Sequence, residues 1–184
     1  MIVLGIETSC DESAAAVVEN GRHVLSSVVF SQVPLHQPYG GVVPEIASRS
    51  HVEKISGVIR EALCGAFGPT GASEVCPEWW GRIDAVAVTY GPGLASSLIV
   101  GLSAAKGLAL SLGKPLIGIN HIEAHIHSVF LSPGAPDPCE VGPMLALVVS
   151  GGHSCWIDLC EKGRYQIIGQ TLDDAAGEAF DKAA

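Results

Sequence analysis

An apolar run at residues 2–6 opens the chain, and further strand-like runs follow at 14–18 and 23–30. They are separated by a polar loop at 7–12 and the turn Glu19-Asn20-Gly21, so the three runs predict a meander. Between 44 and 67, Ile46, Ile55, Val58, Ile59, Ala62 and Leu63 recur at helical spacing, and 68–78 reads as a Pro/Gly/Ser-rich surface loop. Residues 83–89 predict a buried strand, 90–93 a loop, and the stretch to Gly113 a long helix. A second continuous apolar strand at 115–120 runs into a helix at 121–131. Strands alternating with helices imply a parallel sheet.

The segment 132–142, with Pro133, Pro136 and Pro138, reads as a linker. Beyond it the opening pattern restarts: an ungapped shift of 142 positions (144 − 2) lays residues 144–170 over 2–28. The shift pairs Thr8 with Ser150, Glu19 with Glu161, Gly21 with Gly163 and Arg22 with Arg164. In both copies an apolar strand enters a small-residue polar loop, returns as a strand and turns at a glycine, which predicts an internal duplication. The expected organisation is a first lobe at 1–132 carrying the 121–131 helix, a linker at 133–142, and the start of a second lobe at 143–184. Duplicated lobes that open on such hairpins are the plan of the actin, sugar-kinase and Hsp70 ATPase superfamily, an α/β, ribonuclease H-like fold. Its loops offer backbone N–H groups to phosphates.

Composition narrows the class. An apolar fraction of 48% with 22 glycines is that of a globular chain. A net charge of −9 argues against a broad nonspecific nucleic-acid surface, so a nucleic-acid partner needs local basic patches or partner subunits. The six cysteines never form a C-x-x-C pair and predict reduced thiols in the cytoplasm. No basic segment precedes the first apolar run, so no signal peptide is expected. The stretch 93–113 is apolar enough to suggest a membrane span, yet it holds Lys106, which costs about 3 kcal/mol at a bilayer centre. A buried soluble helix, and no membrane, is the expectation.

The candidate chemistry gathers at the ends of strands. His121 and His125 stand four apart at the start of a helix, so their imidazoles share one face and suit a common metal ion. They follow a parallel strand, the usual ligand edge of an α/β sheet. The order resembles a zinc-protease motif, but Glu123 sits two residues from each histidine and points to the opposite face, where it cannot activate a metal-bound water. His127 is poorly placed as a third ligand, so the ligation is incomplete. In the first loop, Asp11 and Glu12 suit acceptance from a substrate amine, a metal bound through water, or capping of the turn. Ser150-Gly151-Gly152-His153 offers a hydroxyl, two glycines that let backbone approach a ligand, and an imidazole for an anion. Gly91-Pro92-Gly93 fits either an anion-binding helix start or a plain tight turn. The tail at 172–182 predicts a short amphipathic helix with an acidic first turn, on which Asp181 is a solvated carboxylate unless that helix lines a cleft.

The motifs Gly5-Ile6-Glu7-Thr8-Ser9-Cys10-Asp11-Glu12, Gly91-Pro92-Gly93-Leu94, Asn120 through His125, Val149 through His153 and Asp173 through Lys182 are collinear over the whole chain. Together they closely resemble the tRNA threonylcarbamoyladenosine transferase family, once labelled O-sialoglycoprotein endopeptidases. The resemblance implies transfer of a threonylcarbamoyl group from threonylcarbamoyl-AMP, or use of an ATP-like nucleotide, to the exocyclic amine of the tRNA adenosine at position 37. It implies a divalent iron or zinc on His121 and His125, and an aspartate beyond Ala184 as third ligand. Val148, Val149, Ser150, Gly151, Gly152 and Asp181 match its substrate-contacting positions, while Asp11, Glu12 and His153 are the expected catalytic groups. The family also suggests a smaller paralogous subunit and a P-loop ATPase as partners. A metalloprotease and a non-catalytic binding subunit of the same superfamily are the rival readings.

Overall fold

Strand β1 (Ile2–Glu7) carries Leu4 and Ile6 on one face, both buried, and ends on the carboxylate of Glu7. It pairs antiparallel with β2 (Glu12–Glu19), which pairs antiparallel with β3 (His23–Ser31). On its other edge β1 pairs parallel with β4 (Ala85–Gly91), and β4 pairs parallel with β5 (Leu116–Asn120). The resulting order β3-β2-β1-β4-β5 is the ribonuclease H-like arrangement expected from the sequence. The computed structural model describes residues 1–138, 140–161 and 164–183, without the side chains of Glu161 and Asp181.

Helix α2 (Pro44–Phe67) begins on a proline, whose missing N–H costs nothing at a helix start, and lies where its apolar spacing predicts. Before it stand a short α1 (Val33–His36) and a 3-10 turn at Gln37–Tyr39, neither of which the sequence reading contained. Helix α3 (Pro77–Gly81) begins inside the expected loop 68–78, its proline again at the first position. Helix α4 (Ala95–Leu112) ends at Gly113, whose left-handed conformation (φ 63°) closes the last turn. By length and composition α4 could cross a membrane. Its small-residue face, Ser97, Gly101, Ala105 and Ala109, is buried, while Ile99 and Leu110 are exposed. The helix, expected to be a buried soluble one, is therefore buried along one face and exposed at Ile99 and Leu110.

The core of this first unit joins Leu4, Ile6, Val17, Val86 and Val88 of the sheet to Ile55, Val58, Ile59 and Leu63 of α2 and Ala105 and Ala109 of α4. Each of these Val, Leu and Ile side chains contributes about 1.5–3 kcal/mol on burial. Thr8, 1% exposed, fixes α4 against the sheet: its hydroxyl donates to the Ser97 carbonyl at 2.9 Å and accepts from the Gly101 amide at 3.2 Å. A Cβ at residue 101 would fall on that hydroxyl, which is why glycine stands there.

The chain divides into two compact units, Met1–His121 and Ile122–Ala184. The division falls earlier than the expected first lobe, 1–132, because most of α5 (His121–Ser128) belongs to the second unit. There Ile126 packs with Val148, Cys155, Ile157 and Leu159 of a second sheet. A 3-10 turn (Val129–Leu131) continues α5. The second sheet, order β6-β7-β8, is antiparallel: β6 (Met144–Val149), β7 (Ser154–Glu161) and β8 (Arg164–Gln170), followed by α6 (Ala176–Ala183). Shifted back by 142, the bounds of β6 and β7 become 2–7 and 12–19, those of β1 and β2. Of the matched residues, Gly163 lies outside the described ones.

Candidate ligand site

In the first unit, β1, β4 and β5 run parallel and deliver Glu7, Thr89 and His121 to one edge of the sheet. Glu7 is the focus. Its Oε1 accepts from the Ser9 amide and its Oε2 from the Thr89 hydroxyl. His121 Nδ1 stands 3.4 Å from Glu7 Oε2 and 3.1 Å from the Ser9 hydroxyl. Burial pushes the Glu7 carboxyl up, but hydrogen bonds from His121, Ser9 and Thr89 outweigh it and hold the group at about 2. The carboxylate against Nδ1 favours a proton on that nitrogen. A metal-ligating histidine normally gives its second N–H to a carboxylate in this way.

His121 and His125 both lie in α5, four residues apart in sequence. Glu123 lies two residues from each, about 200° away around the helix. Among the described residues, no group of three His, Cys, Asp or Glu side chains comes together to hold a metal ion.

The first hairpin loop follows Glu7 and is joined to its carboxylate through the Ser9 amide. Cys10 and Glu12 are exposed, and the Asp11 carbonyl accepts from the Gln32 amide at 3.0 Å. Burial, a hydrogen bond to Asp11 and the charges of Asp11 and Glu12 push the Cys10 thiol up to about 11, so it is not a thiolate nucleophile. Gly91-Pro92-Gly93 contains a cis Gly91-Pro92 bond and docks on the same loop, the Leu94 amide donating to the Ser9 carbonyl at 2.7 Å. A Cβ at Gly93 would come within 2.5 Å of that carbonyl.

In the second unit, Val148 is buried in the sheet core and Val149 is exposed at the end of β6. The loop 150–153 closes on itself: the Ser150 amide donates to the His153 carbonyl at 2.7 Å, and the His153 amide to the Ser150 hydroxyl at 3.0 Å. Helix α6 starts against it, with the Gly177 amide on the Ser150 carbonyl at 3.3 Å and the Ala176 amide on the Ser154 hydroxyl at 2.9 Å. Gly151 and Gly152 have negative-side backbone and no described atom within 4 Å of a Cβ position, so neither conformation nor packing demands glycine there. Asp181 lies on α6, but its side chain is outside the described ones.

Sequence reasoning missed Glu7 and Thr89 as partners of His121. The signal was present: Glu7 is the one charged residue on an otherwise apolar strand, at its carboxyl end.

A profile of the tRNA N6-adenosine threonylcarbamoyltransferase family matches residues 23–184. The tRNA N6-adenosine threonylcarbamoyltransferase of Clostridium perfringens (strain SM101 / Type A) is 54% identical over 183 residues, 100% of this chain and 50% of the relative. That of Symbiobacterium thermophilum is 56% identical over 183 residues, with the same coverage. The chain thus spans about half the length of the curated relatives it matches. Among solved structures, YeaZ from Pseudomonas aeruginosa aligns over 92% of this chain and 66% of its own with a TM-score of 0.53 at 17% identity, a likeness of fold alone. That fold is the duplicated actin-like one the two hairpins pointed to. With a family profile over most of its length and relatives more than half identical across the whole of this chain, the chain belongs to the tRNA N6-adenosine threonylcarbamoyltransferase family.

Proposed function

We propose that the full-length protein transfers the threonylcarbamoyl group of threonylcarbamoyl-AMP to the exocyclic amine of the tRNA adenosine at position 37. The observation that carries this is the 54–56% identity, across the whole chain, with proteins of that name. In the reaction the amine nitrogen bonds to the carbamoyl carbon, the bond from that carbon to the phosphate oxygen breaks, and AMP leaves. Asp11 or Glu12 takes the amine proton, a role their place on an exposed loop beside the ligand edge supports. The high pKa of Cys10 argues against a covalent route through a thiocarbamate on its sulfur.

His121 and His125 hold one divalent ion, iron or zinc, with a further ligand from outside the described residues. The Glu7 carboxylate on His121 Nδ1 fits that role, since it favours the tautomer a metal needs. When bound, the ion supplies Lewis-acid polarisation and orientation of carbamoyl or phosphate oxygens. Val148, Val149, Ser150, Gly151, Gly152 and Asp181 contact the adenylate; the two otherwise unexplained glycines support close backbone approach there. His153 completes the loop as a donor to an anionic oxygen. The partners are tRNA, a paralogous subunit of the same fold, as the likeness to YeaZ suggests, and a P-loop ATPase. Cysteines 10, 64, 76, 155 and 160 carry thiols rather than disulfides, which supports a cytoplasmic setting. Glu123, turned away from both histidines, disfavours the metalloprotease reading.

The test supplies full-length protein and its partners with tRNA, threonine, bicarbonate and ATP, and reads modified adenosine by mass spectrometry. Replacing both His121 and His125 by Ala abolishes product; undiminished product would refute the metal assignment.

A further inference from the structure

Beneath the first hairpin loop lies a polar network that neither the metal pair nor the phosphate loops use. His51 of α2, with His36, Gln32 and Ser13, is 4% exposed or less. His51 Nε2 stands 3.0 Å from the Cys10 carbonyl, and its Nδ1 stands 2.7 Å from the Ser13 hydroxyl and 3.3 Å from Gln32 Nε2. Gln32 Oε1 lies 3.2 Å from His36 Nε2, and His36 Nδ1 accepts from the Val43 amide at 3.3 Å.

With the His51 ring neutral, one proton assignment satisfies the chain, Ser13 and Gln32 sharing the lone pair of His51 Nδ1. Val43 N–H fixes His36 Nδ1 as acceptor, so His36 Nε2–H donates to Gln32 Oε1. The Gln32 amide nitrogen then donates to His51 Nδ1, as does Ser13, leaving His51 Nε2–H to donate to the Cys10 carbonyl. Meanwhile the Gln32 backbone amide holds the Asp11 carbonyl. The inner side of the loop is therefore tied at Cys10, Asp11 and Ser13, while Cys10 and Glu12 face outward. Burial pulls the His51 imidazolium below its ordinary pKa, in keeping with a neutral ring.

We infer that His51 is a positioning residue that clamps the loop bearing Asp11 and Glu12; its importance for turnover rests on the reading of that loop given above. Ring 15N spectra of the unaltered chain test the network directly, with Nε2 protonated and Nδ1 bare as the expected result. A proton on Nδ1 overturns it. In His51→Leu, amide hydrogen exchange at residues 9–13 rises at least tenfold while α4 is unchanged, and His51→Gln, which keeps a donor for Cys10, recovers most of the protection. Unchanged loop exchange, or an equal rise throughout the unit, overturns the inference. In the full-length protein the same Leu variant lowers kcat at least tenfold with little change in KM, and the Gln variant restores it. If Asp11→Ala with Glu12→Ala keeps full turnover while the exchange results hold, the loop's catalytic reading fails and the clamp has no part in the reaction.

Discussion

Glu7 offers the sharpest quantitative test of the site. Folding takes its carboxyl from 4.5 to about 2, so the charged form is preferred in the folded state. The contribution is complete above pH 4.5 and is lost as the pH falls through 2. A difference of that size corresponds to about 3 kcal/mol, and because the side chain is 31% exposed, solvent screening trims it to about 2 kcal/mol. Glu7→Gln keeps the shape but removes the charge and sets an NH2 group against the Ser9 amide or the Thr89 hydroxyl. The variant should lose about 2 kcal/mol at pH 7, with roughly half of that difference gone by pH 3. Urea unfolding measures it, with Trp156→Phe as background so that fluorescence reports Trp79 and Trp80, which pack on the first unit's core. A Glu7→Gln protein as stable as its parent at pH 7, or a difference that does not shrink towards pH 3, would refute the argument.

Two glycines give steric predictions. Gly101→Ala drives a methyl into the buried Thr8 hydroxyl and should cost about 1–3 kcal/mol in urea unfolding of the first unit. Gly177→Ala sets a Cβ 2.8 Å from Gly151 Cα and 3.0 Å from the Ser150 carbonyl, so the amide resonances of residues 150–153 should shift while those of β3 stay in place.

The large elements were legible because their periodicity is long and uninterrupted. Helix α2 runs from Pro44 to Phe67, as its apolar spacing predicts, and the two hairpins emerge with the bounds the shift of 142 requires. Short elements were not: α1 has four residues and one buried side chain, His36, which carries no apolar pattern. The contacts around Glu7 and His51 were not legible, whereas a spacing along one helix was. The spacing of His121 and His125 is a local signal, readable on one helix. Glu7 meets His121 across a sequence separation of 114 residues, and His51 meets Cys10 across 41, so their roles come from sheet order and helix docking rather than from any window of sequence.

The two hairpins differ in register and in loop length. In the first hairpin Glu7 pairs with Ala14, leaving residues 8–13 as the loop; in the second Val149 pairs with Ser154, leaving only 150–153. Position 154 corresponds to 12, so the second register has moved by two residues relative to the first. A slip of one would have turned every apolar side chain of β7 to the wrong face, whereas a slip of two keeps Cys155, Ile157 and Leu159 in the core. The long loop has room for an acidic pair and needs anchoring from below, which the buried imidazole of His51 supplies. The short loop closes through its own backbone and the start of α6, and leaves Gly151 and Gly152 unobstructed. Lengthening the second loop by two residues should therefore leave the β6–β7 core intact while loosening the Ser150 amide, and hydrogen exchange at Ser150 would measure that directly.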